Sequence, residues 1–223
     1  MPRTVAGKNI ARVAIIDDDD ASRVAVAETV AASDVEAIAI AGPLGPVDDV
    51  VRDIASRADA LVSDHHLTKG RYAGFGGAEA VAKTYRIGTP AVLCTGWAQA
   101  NIVEIRAWRR WIPMVVNSDD ATDPEVFISG IQLCCEEFAG SFTSPRKPWR
   151  TLVRVEEEKL AAPTPTIYVI VTGWHAKKVV ELLAQNLPSH VRDAIKAGTH
   201  RFHAQVNKGA EEDSELYFDE WTA

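Results

Sequence analysis

Polar side chains that could do chemistry follow three apolar runs of this chain. Asp17 and Asp18 come directly after residues 12–16, and Asp64 and Thr95 each follow a further run of this kind. Carboxylates that converge on one point repel each other, and a cation among them relieves that repulsion. An oxygen-rich site of this type suits Mg²⁺, which binds a few carboxylates and retains several waters.

The elements around these residues alternate between apolar strands and helices from residue 11 to residue 140. Strands are predicted at residues 12–16, 35–40, 58–63, 90–94 and 112–116, and helices at 21–32, 47–55, 78–85, 99–110 and 123–138. Such alternation predicts an α/β fold with a five-stranded parallel sheet, doubly wound by helices on both faces. Chemistry in such sheets collects at the carboxyl ends of the strands, where the three aspartates and Thr95 fall.

The strand ends resemble the motifs of bacterial response-regulator receiver domains. Ile15-Ile16-Asp17-Asp18 resembles the family's strand with an acidic pair, Val62-Ser63-Asp64 its phosphoacceptor strand, and Leu93-Cys94-Thr95-Gly96 its hydroxyl-bearing strand. The spacings of 46 residues from Asp18 to Asp64 and 31 from Asp64 to Thr95 are similar to those of the family. The resemblance covers residues 11–140 and implies a flavodoxin-like fold with strand order 2-1-3-4-5.

The resemblance also implies roles for single residues. Asp64 would be the nucleophile that accepts a phosphoryl group. Asp17, Asp18, Asp64 and the backbone carbonyl of His66 would hold Mg²⁺, and the hydroxyl of Thr95 would contact the phosphoryl group. The donor would be a histidine kinase or a phosphotransfer protein, and the chain would act in two-component signalling rather than as an enzyme.

Three positions depart from the receiver pattern. The family's lysine falls on Asn117, which can donate a hydrogen bond but carries no charge. The aromatic switch position falls on Met114, and the proline that usually follows the lysine is Ser118. Lys69, in the loop after Asp64, is a candidate for the missing cation. These departures describe an atypical receiver and leave open whether Asp64 is phosphorylated.

The rest of the chain divides around this domain. Residues 1–10 are predicted to be an N-terminal extension, 141–150 a linker, and 151–223 a small α+β domain that acts through protein contacts. Strands are expected there at residues 151–155, 167–172, 202–206 and 216–218, and helices at 175–186 and 189–196. This segment resembles no family that its residues identify.

Composition limits the partners. The net charge of −7, and 9 Lys and Arg against 11 Asp and Glu from Arg150 onward, argue against a nucleic-acid partner. No apolar run is long enough for a membrane helix and no signal peptide is recognisable, so we expect a cytoplasmic protein. Three scattered cysteines indicate core thiols rather than a disulfide framework.

Two side-chain clusters have alternative interpretations. His65 and His66 are neighbours that point to opposite sides of a strand, so we expect loop histidines without a metal. Trp108 and Trp111, with the arginines at 106, 109 and 110, are either interface anchors or core tryptophans with a solvated arginine rim. The first alternative implies a homodimer through the fourth helix and fifth strand of the receiver.

Three other functions compete with a phosphorylated receiver. A degenerate receiver would be a constitutive interaction scaffold or adaptor. A transcription factor would need a DNA-binding C-terminal domain, which the acidic balance disfavours. An Mg²⁺-dependent phosphohydrolase usually carries a second aspartate two residues after its nucleophile, where this chain has His66.

Overall fold

The chain folds into two compact units, each with its own five-stranded sheet. The computed structural model describes residues 3–96 and 102–222. The first unit contains the described residues up to 96 and Trp111–Phe142, and the second contains 102–110 and those from Thr143 onward. The segment 102–110, which follows the fourth strand of the receiver pattern, therefore belongs to the second unit. No described helix is long and apolar enough to cross a membrane.

Twelve strands and six helices make up the regular structure of the described residues. The strands are β1 Arg3–Val5, β2 Lys8–Ile10, β3 Arg12–Ile16, β4 Glu36–Ala39, β5 Ala60–Asp64, β6 Ala91–Thr95, β7 Val115–Asn117, β8 Trp149–Lys159, β9 Thr166–Val171, β10 Val180–Leu183, β11 Arg201–Val206 and β12 Phe218–Thr222. The helices are α1 Asp20–Ala31, α2 Val47–Arg57, α3 Gly77–Arg86, α4 Ile102–Arg106, α5 Pro124–Phe138 and α6 Ser189–Lys196.

The sheet of the first unit is entirely parallel, with the order β4-β3-β5-β6-β7. This is the predicted order 2-1-3-4-5, so the predicted doubly wound fold is confirmed. The central strands β3, β5 and β6 are apolar and buried except at their ends, because both faces of the sheet are covered. Helices α1 and α5 pack together over Val13, Ile15 and Val62. Helix α3 contacts α2, β5 and β6.

Helix ends follow the local sequence. Asp19 caps α1, because its side chain accepts hydrogen bonds from the backbone N–H groups of Ala21 and Ser22. Asp123 caps α5 in the same way, ahead of Pro124 at the first helical position. The helix predicted at residues 99–110 is shorter: α4 covers Ile102–Arg106, and residues 97–101 lie outside the described part of the chain.

The second unit is an antiparallel sheet in the order β10-β9-β8-β11-β12, with α6 packed on its apolar face. A small α+β fold was predicted, but the helix expected at 175–186 is wrong. Val180 and Leu182 are buried in alternation with Glu181, and β10 pairs with β9 there. Pairing with a distant strand decided the structure of this short apolar stretch.

The second sheet is strongly curled. Strands β10 and β12 are its two edges, yet Leu182 of β10 and Trp221 of β12 line the same cavity. The guanidinium group of Arg106 donates to the backbone carbonyl of Glu181 in β10 and, at 2.8 Å, to that of Asp213 ahead of β12. Arg106 of α4 therefore bridges the two edges of the curled sheet.

Candidate functional site

Three carboxylates meet at the carboxyl edge of the parallel sheet. Asp17 and Asp18 follow β3 and Asp64 ends β5, and these strands are neighbours with Ile16 opposite Ser63. One carboxylate oxygen of each aspartate lies within 4.8 Å of the others. Among the acidic, histidine and cysteine side chains within residues 3–96 and 102–222, these three aspartates lie close enough together to hold a metal ion. The histidines at 65 and 66 are not part of it.

Two carboxylates of the cluster, Asp64 and Asp17, have raised pKa values. Burial, and then the charge of Asp17, raise the pKa of Asp64 to about 6, although the backbone N–H groups of His66 and His65 partly oppose this. Burial also raises the pKa of Asp17, with the charges of Asp18 and Asp19 adding to the shift. Carboxylates that hold their protons this strongly are stabilised by a divalent cation, and oxygen donors suit Mg²⁺. The residues present therefore fit the predicted ion.

Asp19 and Asp20 have other partners. Asp19 caps α1 and accepts a hydrogen bond of 2.5 Å from the ammonium group of Lys69. That bond, followed by those from the backbone at Ser22 and Ala21, lowers the pKa of Asp19 to about 2. Asp20 pairs with Arg23 one turn later in α1. These two aspartates therefore hold the loop and the helix start.

Lys69 contacts the acidic loop that follows β3. The sequence indicated it as a candidate cation only because it lies in the loop after Asp64. Besides the contact with Asp19, its backbone N–H donates to Asp18 Oδ2 at 2.5 Å. The loop after β5 is thus attached to the loop after β3 by two bonds from one residue. The distance in sequence between these loops, about 50 residues, explains why no local pattern indicated the contact.

A buried arginine under the acidic loop escaped the sequence interpretation. Arg23 donates to the backbone carbonyl of Asp17 at 2.6 Å, and its guanidinium carbon lies 5.4 Å from the ring centroid of Tyr72. The hydroxyl of Tyr72 in turn donates to the carbonyl of Ile40 at 2.6 Å. Arg23 and Tyr72 therefore position the backbone that carries Asp17.

The predicted hydroxyl and amide partners lie on adjacent strands. Thr95 ends β6 and is buried, and it is opposite Asn117, which ends β7 and is exposed. Met114 is half-buried and packs against the core under α5. The roles assigned to these three residues stay predictions, since their contacts with a phosphoryl group depend on a ligand.

A cavity of about 390 Å³ opens beside the carboxylates. Its floor contains Asp17, Asp18 and Asp64, and its wall on the β6 and β7 side contains Cys94, Gly96 and Ser118. Burial raises the pKa of Cys94 to about 12, so its thiol stays protonated and neutral next to the aspartates. Sequence reasoning missed Cys94 and Ser118, although their positions beside Thr95 and Asn117 were a signal.

Backbone hydrogen bonds fix the side chain of Asp64 and the main chain that follows it. The backbone N–H of His66 donates to Asp64 Oδ2 at 2.7 Å. The backbone N–H of Gly77, at the start of α3, donates to the carbonyl of His65 at 2.8 Å. A Cβ at position 77 would lie 1.7 Å from the carbonyl oxygen of Asp64, so only glycine fits there.

The arginines near the fourth helix are not a solvated rim. Arg106 and Arg109 are buried, at 6% and 8% exposure, so the expectation that they lie on an exposed interface face is wrong for both. Trp111 lies in the first unit, where its ring is tilted against that of Tyr85 and lies 5.4 Å from the guanidinium carbon of Arg86. The three cysteines are buried free thiols, as predicted.

Comparisons with known proteins give structural similarity alone. No family model and no curated protein matches the chain. A response-regulator receiver domain from Clostridium thermocellum is similar over 55% of this chain and 94% of its own, at 13% identity and a TM-score of 0.42. A CheY-like receiver domain from Methylobacillus flagellatus is similar over 55% of this chain and 98% of its own, at 15% identity and a TM-score of 0.41. The chemotaxis response regulator CheY4 of Vibrio cholerae is similar over 56% of this chain and 98% of its own, at 18% identity and a TM-score of 0.41. The similarity lies in the N-terminal part, and the C-terminal part is unidentified.

Proposed function

We propose that the first unit is an atypical receiver that accepts a phosphoryl group on Asp64 in a Mg²⁺-dependent reaction. The observation that carries this proposal is the convergence of Asp17, Asp18 and Asp64 within 4.8 Å at the carboxyl edge of the sheet. A pure helix cap would need one aspartate, and Asp19 already fills that role. The remaining carboxylates are costly to bury together unless they bind a cation.

The transfer step follows from the environment of Asp64. Its carboxylate is ionised at pH 7, since its pKa is about 6. One oxygen attacks the phosphorus of the donor, the bond from phosphorus to the donor's leaving atom breaks, and the leaving group takes the electron pair. The N–H of His66 holds Asp64 Oδ2 and so fixes the direction of the carboxylate.

The ion would be held by Asp17, Asp18, Asp64 and the backbone carbonyl of His66. When bound, Mg²⁺ supplies positive charge that offsets the negative charge of the phosphoryl oxygens. The cavity beside the carboxylates offers room for the phosphoryl group, with the hydroxyl of Ser118 on its wall. Thr95 and Asn117 would contact the same group from the ends of β6 and β7.

The proposed role in the cell is phosphorelay-type signalling. The donor would be a histidine kinase or a phosphotransfer protein, and the second unit would transmit the signal through protein contacts. A homodimer through β7 and the helix before it stays a prediction. We propose no enzymatic turnover, because position 66 carries a histidine where a phosphohydrolase would carry its second aspartate.

One observation favours a second candidate, a receiver that is never phosphorylated and acts as a scaffold. Asn117 stands where a lysine would bind the phosphoryl oxygen, and it carries no charge. Without that cation, the phosphorylated form loses a charge-assisted hydrogen bond. The scaffold would use the same fold with Asp64 unmodified.

Labelling with acetyl phosphate separates the two candidates. We expect a gain of one phosphoryl group in intact-protein mass spectra when Mg²⁺ is present, and none with EDTA. Asp64→Asn should abolish the gain, and Asp18→Asn should reduce it strongly. Asp53→Asn, a change at an exposed position of α2, is the matched control and should label like the wild type. A wild type that stays unlabelled at high Mg²⁺ supports the scaffold and overturns the phosphorylation proposal.

A further inference from the structure

A second cavity, of about 710 Å³, lies beside the acidic loop. Its walls include the loop after β4, with Gly42 and Pro43, and residues 69–72 of the loop after β5. It shares Asp18 and Asp19 with the cavity that contains Asp64. The two cavities therefore adjoin at the loop proposed to hold the metal ion.

Arg71 is a cation on the wall of the second cavity. Among the described residues that line the two cavities, the lysine and arginine side chains are those of Lys69 and Arg71. Lys69 is paired with Asp19. The side chain of Arg71 is exposed and makes no hydrogen bond or ion pair within residues 3–96 and 102–222. Its guanidinium donors are therefore open to a ligand.

The backbone of Arg71 is held in an unfavourable conformation. Its φ of 60° lies in the left-handed region, which glycine adopts freely but where a Cβ meets steric crowding. On one side, the N–H of Lys69 donates to Asp18 Oδ2 at 2.5 Å. On the other, the hydroxyl of Tyr72 donates to the carbonyl of Ile40 at 2.6 Å. Strain of this kind concentrates at functional sites. Position 71 therefore favours glycine, and an arginine there contributes through its side chain.

We propose that Arg71 binds the phosphoryl group of the incoming donor at the acidic loop. A guanidinium group matches phosphate oxygens with two parallel hydrogen bonds. The donor is an anion that the carboxylate cluster repels, so a cation beside the cluster raises the local concentration of donor. Asp64 lines the other cavity, so Arg71 acts on the donor before transfer and not on phosphorylated Asp64. This role rests on the proposed function and deepens it, since it names the group of the substrate that the protein recognises.

The formal charges around the site show what Arg71 changes. The charge of Asp19 is paired with that of Lys69. The charge of Asp20 is paired with that of Arg23. The three carboxylates of the proposed metal site carry −3, against +2 from a bound Mg²⁺. Arg71 brings this sum from −1 to zero, so the site repels an anionic donor less.

The first test compares initial labelling rates in intact-protein mass spectra, with acetyl phosphate and Mg²⁺. We expect Arg71→Gln to react about fivefold more slowly at low ionic strength, and Arg71→Lys to stay within about twofold of the wild type. In about 0.5 M NaCl the difference should shrink, because salt screens exposed charges. Phosphoramidate, whose P–N bond resembles that of phosphohistidine, should show the same loss, since both donors share the phosphoryl group. Equal rates in the wild type and Arg71→Gln, or a loss confined to acetyl phosphate, overturn the proposal.

Arg12→Gln is the matched control. Arg12 is exposed at the start of β3, at the opposite edge of the sheet from the carboxylates, and its loss changes the net charge by the same amount. This variant should label within about twofold of the wild type, because a distant exposed charge is screened. If it slows labelling as much as Arg71→Gln does, net charge alone explains the effect and the proposal is overturned.

Glycine at position 71 separates the role of the side chain from that of the backbone. Arg71→Gly relieves the left-handed strain, so its melting temperature should equal or exceed that of Arg71→Gln. Its labelling rate should nevertheless fall as far as that of Arg71→Gln, because both variants lack the guanidinium group. A clearly lower melting temperature in Arg71→Gly than in Arg71→Gln would assign Arg71 a structural role and overturn the proposal.

Binding without transfer distinguishes a failure of this inference from a failure of the proposed phosphorylation. Asp64→Asn cannot accept a phosphoryl group, so acetyl phosphate is titrated into it with Mg²⁺ while the amide chemical shifts of Lys69 and Tyr72 are followed. The apparent affinity should fall about fivefold in Asp64→Asn/Arg71→Gln. A titration that does not depend on Arg71 overturns the inference even if the wild type is labelled on Asp64. An unlabelled wild type with an Arg71-dependent titration overturns phosphorylation and keeps Arg71 as a phosphate-binding residue.

Discussion

Lys69 places its ammonium nitrogen 2.5 Å from Oδ2 of Asp19, within the acidic loop that also carries Asp17 and Asp18. The sequence offered Lys69 as a replacement for the missing receiver lysine. Its ammonium group is paired with Asp19 instead, and its charge lies near the proposed metal site. The charge of Lys69 would therefore compete with a cation bound at the proposed site.

We expect Lys69→Met to bind Mg²⁺ more tightly than the wild type, by about two- to fivefold at low ionic strength, because one positive charge near the site is removed. The measurement is a Mg²⁺ titration followed by melting temperature, since a ligand of the folded state stabilises it. Lys83→Met, which removes an exposed ion pair with Asp48, is the control and should leave the affinity unchanged. Weaker binding in Lys69→Met would show that the bond from Lys69 to Asp19 matters more for the arrangement of the acidic loop than the charge of Lys69 does.

Asp64 gives the protein a pH-dependent stability in the absence of metal. Its folded-state pKa of about 6 lies above the ordinary value near 3.8, so the folded state holds the proton more tightly than the unfolded state. The contribution to stability is complete below about pH 4 and is lost as the pH rises through 6. A shift of this size corresponds to at most about 3 kcal/mol, and screening of a partly exposed carboxylate reduces it to about 1 kcal/mol.

In EDTA, Asp64→Asn should therefore raise the free energy of unfolding at pH 7.5 and have little effect at pH 4. Urea unfolding at the two pH values measures the difference. Asp53→Asn, at an exposed position of α2, should show no such pH-dependent gain. Equal stabilisation by Asp64→Asn at both pH values would mean that burial and repulsion from Asp17 do not govern the ionisation of this group.

The sequence predicted those parts of the site that depend on a local pattern of neighbouring residues. An apolar run that ends in acids fixes both a strand and what stands at its carboxyl end, so Asp17, Asp18 and Asp64 could be placed together. The roles of Arg23 and Arg106 could not be predicted, because both side chains donate to backbone carbonyls. The partner of Arg23 is in the loop before its own helix, and the partners of Arg106 are distant in sequence. The stretch around Val180 was misassigned for a related reason: its pairing with Val169 is invisible to local pattern.

Gly77 should be intolerant of any side chain. A Cβ there would lie 1.7 Å from the carbonyl oxygen of Asp64 and 2.6 Å from the hydroxyl of Ser63, so α3 would have to move away from β5. We expect Gly77→Ala to lower the free energy of unfolding by about 3 kcal/mol. The matched control is Gly74→Ala, where an added Cβ meets no atom within 4 Å and stability should change little. Similar unfolding curves for the two variants would contradict the close approach.

Arg106 should stabilise the curl of the second sheet. Its guanidinium group is buried and donates to the backbone carbonyls of Glu181 and Asp213 and to the carboxylate of Asp213, so its loss removes all three of these bonds. Arg106→Met, which keeps the aliphatic length, should cost about 2–3 kcal/mol. Hydrogen exchange should show lost protection in β10 and β12, while strands β3 to β6 report on the first unit as an internal control. Unchanged exchange in β10 would contradict a bridging role.

Asn117 is where the chain departs most from the receiver pattern, and a substitution there tests what that departure does. Without a cation at the end of β7, the phosphorylated form lacks a charge-assisted hydrogen bond of roughly 1.5–3 kcal/mol. A ligand shifts an equilibrium only by its differential affinity for the two states, so the wild type should respond weakly to the phosphoryl mimic beryllofluoride.

We expect Asn117→Lys to strengthen that response, because position 117 lies opposite Thr95 at the carboxyl edge of the sheet and is exposed, with room for a longer side chain. The readout is the amide chemical shifts of Thr95 and Met114 with and without beryllofluoride and Mg²⁺. Asp64→Asn/Asn117→Lys is the control and should not respond, since it lacks the acceptor carboxylate. A large response in the wild type would show that another group, such as Lys69, already supplies the cation. No response in either the wild type or Asn117→Lys would favour the scaffold, because restoring the lysine would then fail to restore the switch.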